Sequence, residues 1–218
     1  MPNLGDVMPD FHAETSEGPM QFHEYINNSW AILFSHPADY TPVCTTELAE
    51  SQRLVPEFTK RGVKMAALSI DSPESHKGWI GDIKHYTDGK FDFPIIADTD
   101  RKLAVSLGMI DPDEVNAQGI ALTARAVFII GPDKKLKLSL LYPATTGRNF
   151  AEIIRVIDSL QLTATKKVAT PVNWQPGDEA MIVPSVKPDD VASIFPNGHR
   201  QDDVPSGKCY MRFTKDYQ

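Results

Sequence analysis

Apolar runs and amphipathic stretches alternate along most of this chain. The run Trp30-Ala31-Ile32-Leu33-Phe34-Ser35 is apolar enough to predict a buried strand. Similar runs predict strands at 63–70, 93–97, 126–130 and 136–142. Apolar residues at helical spacing predict helices at 47–61, 73–86, 101–107 and 149–160. Residues 20–25 fit a short strand and a turn of helix equally well.

The order of these elements predicts the fold class. Strands and helices alternate first, and a short turn at 131–134 then joins strands 126–130 and 136–142 as an antiparallel hairpin. Parallel crossovers followed by a hairpin describe a mixed central sheet with helices on both faces. We therefore expect one α/β domain over residues 1–165.

The composition changes after this domain. Six prolines, at positions 171, 176, 184, 188, 196 and 205, argue against long regular elements there. Residues 180–183 and 208–213 are still typical of short strands. We expect residues 166–218 to form a small C-terminal arm. Because such an arm buries little by itself, it should pack on the main domain or on a partner subunit.

Charge and cysteine content narrow the class of protein. The formal net charge of −7 argues against a nucleic-acid binder, which needs a basic face. No run approaches the roughly 20 apolar residues of a membrane span, and the N-terminus lacks the pattern of a secretory signal. The two cysteines, Cys44 and Cys209, do not form a disulfide scaffold, and no zinc-site spacing occurs. We expect a cytoplasmic protein without a metal site.

Cys44 is the first candidate for chemistry. It follows the strand at 30–35 and precedes a helical pattern, and Thr45 and Thr46 are residues that often cap helices. Free N–H groups and the helix dipole favour an anion at such a place. An ordinary thiol is only about 3% ionised at pH 7, but one with a pKa of about 6 is about 90% ionised. A buried, inert cysteine fits the same position.

The spacing Pro37-x-x-x-Thr41-x-x-Cys44 resembles the signature of the peroxiredoxin family, and the stretch from Ser35 to Glu47 is similar to its one-cysteine subclass. Further similar blocks lie at 67–72, 93–98, 122–125, 140–150 and 168–174. The resemblance implies a thioredoxin-like fold and a thiol-dependent peroxidase without a cofactor. Hydrogen peroxide and organic hydroperoxides, phospholipid hydroperoxides among them, would be its substrates. Antioxidant defence would be its role.

The resemblance also implies roles for individual residues. Cys44 would be the attacking thiolate, Thr41 would bond the peroxide, and Arg125 would stabilise the thiolate and the departing oxygen. The supporting residues would be Pro37, His36, Glu47 and Arg148. Each has a plainer explanation as well: a loop cap for Thr41, a structural role for His36, and surface ion pairs for the charged residues.

The same comparison predicts how the oxidised cysteine is reduced. Thr170 stands where two-cysteine relatives have their resolving cysteine, so an external thiol such as glutathione should reduce the Cys44 sulfenic acid. Cys209 is then a spectator, or it forms a mixed or intersubunit disulfide. The resemblance further implies a homodimer, with the hairpin edge 136–142 and the arm at subunit contacts. Higher rings remain open.

Other functions compete with the peroxidase. Vertebrate members of the subclass carry a phospholipase A2 activity, and Ser29, His23 and Asp133 match its Ser-His-Asp set. The glycines of the nucleophile turn are replaced by Asn27 and Ala31, and Ser29 also suits a cap. A chaperone or redox relay is a second alternative. A cysteine hydrolase is a third, and it needs a histidine paired with Cys44.

Overall fold

The computed structural model describes residues 1–217. Its helices are α1 Phe22–Ile26, α2 Pro42–Arg53, α3 Val55–Lys60, α4 Pro73–His85, α5 Lys102–Ser106, α6 Phe150–Thr165 and α7 Val191–Ile194. Its strands are β1 His12–Thr15, β2 Gly18–Gln21, β3 Trp30–Ser35, β4 Val63–Ser69, β5 Ile95–Ala97, β6 Ile110–Val115, β7 Ala121–Thr123, β8 Arg125–Ile130, β9 Leu136–Tyr142, β10 Val168–Ala169, β11 Ala180–Ile182, β12 Arg200–Gln201 and β13 Arg212–Thr214. A 3-10 turn covers Pro188–Asp190.

The central sheet has seven strands in the order β2-β1-β5-β4-β3-β8-β9. Strands β3, β4 and β5 are parallel, whereas β1 and β8 join them in antiparallel fashion and β9 continues the hairpin from β8. This arrangement confirms the predicted mixed α/β fold. It also explains why β3 is apolar from Trp30 to Phe34, because a strand in the middle of such a sheet is covered on both faces.

The core of the sheet centres on β3. Leu33 pairs with Ala66 of β4 on one side and with Phe128 of β8 on the other, and all three side chains are buried. Helix α2 packs against α4, and α3 packs against β4. The chain leaves the carboxyl end of β3 through a loop and then enters α2. In α/β sheets, sites form at the carboxyl ends of strands such as this one.

The predicted helix 47–61 is two helices. Helix α2 begins at Pro42, five residues earlier than predicted, because proline suits the first helical position. It ends before Leu54, and α3 then starts with Pro56 at its second position. Pro56 cannot donate the backbone hydrogen bond that a continuous helix would need there. The break divides the apolar residues predicted for one helix at 47–61 between α2 and α3.

Two hairpins were not predicted. The hairpin β1–β2 is short, and residues 20–25 turn out to contain the end of β2 and most of α1. The hairpin β6–β7 contains Asp111, Pro112, Asp113 and Glu114, so it lacks apolar alternation and carries a register shift. Polar, partly exposed strands leave no hydrophobic signal.

The chain divides into two compact units, Met1–Phe150 and the residues from Ala151 onward. The second unit has its own four-stranded antiparallel sheet, in the order β10-β11-β13-β12. Its small core includes Trp174, Ile182 and Phe195. The domain boundary predicted at residue 165 stays a prediction. None of the helices within residues 1–217 has the length and apolar character needed to cross a membrane.

Candidate active site

Cys44 is the third residue of α2 and is fully buried. Thr41 caps the helix with extended backbone angles, φ −114° and ψ 148°. The preceding Tyr40 has φ +54°, a left-handed conformation that is uncommon for a residue other than glycine. The turn through these two residues sets the start of α2 and places the Cys44 sulfur beside the positive end of the helix dipole.

Arg125 lies beside Cys44. It is the first residue of β8, which runs antiparallel to β3, so it stands at the carboxyl end of β3. Its Nη1 is 3.4 Å from Cys44 Sγ. Its Nε and Nη2 donate to the Ala144 carbonyl at 2.9 and 2.6 Å, which holds the guanidinium in place. The sulfur thus faces a fixed cation as well as a helix N-terminus.

Glu47 supports this cation from the next turn of α2. Its Oε2 accepts from Arg125 Nη1 at 2.7 Å and from Arg148 Nη2 at 2.7 Å, and its Oε1 accepts from Arg148 Nε at 2.9 Å. Burial raises the pKa of Glu47, but the hydrogen bonds and charge of Arg148, with the charge of Arg125, outweigh burial and hold the pKa below its ordinary value. The carboxylate is therefore ionised and balances part of the positive charge.

Arg148 is itself held by the end of the sheet. Its Nη1 donates to the carbonyls of Ser35 and Ala126, both at 2.8 Å. Its guanidinium carbon also lies 5.4 Å from the centre of the Phe34 ring, within cation–π distance. The Glu47 and Arg148 side chains are nearly inaccessible to solvent, so they are an internal pair and not the surface ion pair of the plainer explanation.

A cavity of about 310 Å³ adjoins these residues. Pro37, Thr41, Arg125 and Thr145 are among the residues that line it. Thr41 Oγ1 donates to the Ala38 carbonyl at 2.9 Å, so the hydroxyl oxygen keeps lone pairs for a further hydrogen bond. The cavity has room for a small hydroperoxide between a hydroxyl acceptor and a guanidinium donor.

His36 takes part in a different network. Its Nε2 lies 2.9 Å from Asp39 Oδ1, and the other oxygen of Asp39 meets His76 Nδ1 at 2.7 Å. Burial lowers the pKa of His36 more than Asp39 raises it, so the ring is neutral. Neither histidine is hydrogen-bonded to Cys44 Sγ within residues 1–217. The sequence predicted His36 to lie near the site. In the structure it begins the loop that carries Thr41, and its side chain contacts Asp39.

The contact between Asp39 and His76 was not predicted from the sequence. Ser75 Oγ donates to Asp39 Oδ2 at 2.8 Å, and Asp39 N donates to Asp71 at 3.0 Å. His36, Asp39 and Asp71 also present ligand atoms within 4.8 Å of one another, the one such group in the described part of the chain. Hydrogen bonds already occupy both oxygens of Asp39, so this group fits a loop anchor better than a metal site. The spacing His-x-x-Asp was the one local hint.

Comparison with known proteins agrees with this geometry. Residues 4–139 match the AhpC/TSA family, and residues 159–195 match the C-terminal domain of 1-Cys peroxiredoxin. Peroxiredoxin-6 of Gallus gallus is 60% identical, and that of Homo sapiens 55% identical, over 97% of this chain and 96% of each relative. The chain belongs to the peroxiredoxin family. It is a thiol-dependent peroxidase, an oxidoreductase that acts on peroxide.

Solved peroxiredoxin structures share the fold. Peroxiredoxin 6 of Arenicola marina has a TM-score of 0.95 at 58% identity, and 98% of each chain is covered. A yeast mitochondrial 1-Cys peroxiredoxin, studied for thiol resolution through glutathione and thioredoxin systems, has a TM-score of 0.86 at 42% identity, with 98% of this chain and 99% of that chain covered. These matches confirm the predicted thioredoxin-like peroxiredoxin fold.

The cysteine content of this peroxiredoxin is simple. Cys44 and Cys209 are both free, and Cys209 is exposed. Thr170 Oγ1 lies 2.7 Å from Ser159 Oγ, so a hydroxyl pair lies at the position that the sequence predicts to correspond to the resolving cysteine of two-cysteine relatives. A participation of Cys209 in disulfides stays a prediction.

The residues of the lipase set have other partners in this structure. His23 Nε2 contacts the Met8 carbonyl at 2.8 Å, and Asp133 Oδ2 accepts from Lys137 Nζ at 2.6 Å. Within residues 1–217, no hydrogen bond links Ser29, His23 and Asp133 to one another. The assignment of lipid hydrolysis to them stays a prediction.

Proposed function

We propose that Cys44 is the peroxidatic cysteine and that Thr41 and Arg125 are the residues that bind its substrate. The observation that carries this proposal is the 3.4 Å contact from Arg125 Nη1 to Cys44 Sγ, held by Glu47 on one side and Ala144 on the other. A peroxide bound against Arg125 has one oxygen facing the sulfur. Pro37 lines the cavity beside this contact, and its apolar ring would limit water around the thiolate.

The reaction follows from these positions. The Cys44 thiolate attacks one oxygen of the hydroperoxide, the S–O bond forms and the O–O bond breaks. The other oxygen leaves with the bonding electron pair, takes a proton and departs as water or an alcohol. Arg125 stabilises the negative charge on that oxygen as it develops, which is a contribution of the oxyanion-hole type. Thr41 accepts from the peroxide O–H and orients it for in-line attack.

An external thiol, glutathione or a similar small thiol, then reduces the Cys44 sulfenic acid. Thr170 in place of a resolving cysteine supports this assignment. The yeast relative, whose thiol resolution involves glutathione and thioredoxin systems, supports it as well. A cytoplasmic location fits such a reductant, and antioxidant defence against hydrogen peroxide and organic hydroperoxides, phospholipid hydroperoxides among them, is the proposed role.

A homodimer is the proposed assembly. Strand β9 is the last strand of the central sheet. The N-terminal segment covers only its start, where Leu136 exchanges backbone hydrogen bonds of 2.9 Å with Gly5 and Asp6, and Leu141 near the other end is 57% exposed. An open strand edge with an apolar side chain pairs readily with a second copy. Sedimentation of the purified protein tests this, and Leu141→Lys should shift the protein toward the monomer. A subunit contact of the C-terminal arm stays a prediction.

Peroxide consumption with glutathione tests the peroxidase assignment directly. Purified protein should remove hydrogen peroxide in the presence of the thiol, and Arg125→Ala should reduce the rate of sulfenic acid formation. Retention of the full rate in that variant would remove Arg125 from the mechanism and leave the contact without a catalytic role.

A further inference from the structure

A second and larger depression lies beside the cavity that Thr41 and Arg125 line. This groove has a volume of about 610 Å³ and runs between α2 and α4. Its size lies within the range of small-molecule sites. Trp79 Nε1 of α4 donates to Thr45 Oγ1 of α2 at 3.1 Å, which ties together the two helices that form it. Thr41 and Pro42 line both the groove and the cavity beside Arg125, so the two depressions meet at the first turn of α2.

The groove carries charges of both signs. Arg53 lines it from α2, with a side chain 53% exposed that donates to Glu50 Oε2 at 3.1 Å and to the Tyr86 carbonyl at 2.7 Å. Asp82 lines it from α4 and is exposed, and its carboxylate makes no hydrogen bond or ion pair with another residue in the described chain. His85 also lines the groove. A ligand that carries both a carboxylate and an ammonium group matches this lining.

The distance from Arg53 to the active-site turn suits a tripeptide. The Arg53 side chain leans toward the start of α2, as its pairing with Glu50 shows. Glu50 comes six residues after Cys44, which is about 9 Å along a helix axis. An extended tripeptide spans about 10 Å. The thiol of glutathione is on its central residue, but the γ-glutamyl linkage lengthens the chain between the glutamyl α-carboxylate and that residue. With this carboxylate at Arg53, the thiol therefore extends toward the turn of Thr41 and Pro42.

We propose that the groove between α2 and α4 binds glutathione, with a carboxylate at Arg53 and the ammonium group at Asp82. This inference rests on the proposed reduction of Cys44 by an external thiol, and it assigns the place where that thiol binds. The contacts hold the thiol near the first turn of α2. Reaction with the sulfenic acid then becomes a step between bound groups.

The step is balanced in atoms and electrons. The glutathione sulfur attacks the Cys44 sulfur, an S–S bond forms, and the S–O bond breaks. The oxygen leaves with the bonding pair as hydroxide and takes the thiol proton to become water, so the sulfenic sulfur is reduced and the thiol is oxidised. A second glutathione breaks this mixed disulfide, which releases oxidised glutathione and regenerates Cys44.

The test compares a charged thiol with an uncharged one. The full chain carrying Cys209→Ser is oxidised with one equivalent of hydrogen peroxide and mixed with glutathione or dithiothreitol. Quenched samples are followed by intact mass. With Arg53→Ala, the glutathione rate should fall about tenfold relative to the dithiothreitol rate, because one hydrogen bond to a charged group is lost. Asp82→Lys should lower the same ratio, and Lys60→Ala, an exposed charge outside the groove, should leave it unchanged.

Glutathione with esterified carboxylates provides the matched ligand. It should react more slowly with the parent protein, and Arg53→Ala should no longer change its rate, since the partner group is absent. An unchanged ratio in Arg53→Ala overturns the proposal. So does an equal fall with both thiols, or a change of oligomeric state in this variant, which would make a second copy the occupant. Failure of both thiols to reduce the parent protein would instead contradict the proposed function.

Discussion

Glu47 and Arg148 are joined by three hydrogen bonds, although they stand 101 residues apart in the chain. The Arg148 backbone N–H and its Nε both donate to Glu47 Oε1, at 2.7 and 2.9 Å, and Nη2 donates to Oε2 at 2.7 Å. The same carboxylate accepts from Arg125, which contacts the Cys44 sulfur. One buried carboxylate thus positions two arginines, and through Arg125 it reaches the Cys44 sulfur.

Replacement of this carboxylate should destabilise the protein. Glu47→Gln leaves the guanidinium groups of Arg125 and Arg148 buried without a counter-charge, and the free energy of unfolding should fall by about 3 kcal/mol. Urea unfolding at pH 7.5 measures it. Glu57→Gln is the control, because Glu57 makes a partly exposed pair with Arg61 and its loss should hardly move the midpoint. Equal shifts of the urea midpoint in the two variants would show that the buried ion pairs of Glu47 stabilise the protein no more than a partly exposed pair does.

Arg125 should matter for chemistry more than for folding. Arg125→Lys keeps a positive charge but loses the fork that contacts Cys44, Glu47 and Ala144 together. We expect kcat/KM for hydrogen peroxide to fall by about 10²–10³. Stopped-flow measurement of Cys44 oxidation reports the rate. Lys90→Ala, an exposed cation elsewhere, should retain the parent rate, and a similar loss there would indicate a general electrostatic effect.

The two cysteines should behave differently towards peroxide. Cys44→Ser should abolish turnover, because serine cannot act as the nucleophile here, whereas Cys209→Ser should retain it. Intact mass after one equivalent of peroxide should show one added oxygen on Cys44 in the Cys209→Ser protein. If Cys209→Ser alone stops turnover with glutathione, Cys209 resolves the sulfenic acid and the one-cysteine assignment is wrong.

The sequence predicted the core strands of the sheet better than the start of α2 and the exposed hairpin β6–β7. Strand β3 was predicted correctly because an apolar run buried on both faces carries a strong signal. The start of α2 at Pro42 was missed because apolar spacing begins only after the first turn. Hairpin β6–β7 was missed since its exposed residues, such as Asp113, follow no apolar period.

The site shows a similar limit. The motif around Cys44 located the thiol, Thr41 and Pro37 by local spacing. Contacts between distant residues followed from family resemblance alone, since no local pattern joins Cys44 to Arg125. The anchor of the Thr41 loop, Asp39 with His76, was not found, because a buried histidine on an amphipathic helix has no distinguishing pattern. Such pairings depend on tertiary packing.

The buried loop anchor leads to a prediction about pH. Burial lowers the pKa of His36 from its ordinary value of 6.5, because the ring is fully enclosed and its Nδ1 has no partner. The unfolded chain therefore binds a proton at His36 more readily than the native protein does. This difference in proton binding stabilises the native protein above pH 6.5, and the stabilisation is lost as the pH falls. Between pH 7.5 and 5.5 this group should lower the free energy of unfolding by up to about 1.4 kcal/mol.

Urea unfolding at the two pH values measures this change. His36→Asn removes the titrating ring and should show a smaller pH dependence than the parent protein, even if its stability is lower at both values. His12→Asn, at an exposed position on β1, is the matched control and should keep the parent pH dependence. The free energy of unfolding could instead depend on pH equally in the parent protein and in His36→Asn. The His36 ring would then take up no proton on unfolding, which would contradict a neutral His36 in the Thr41 loop.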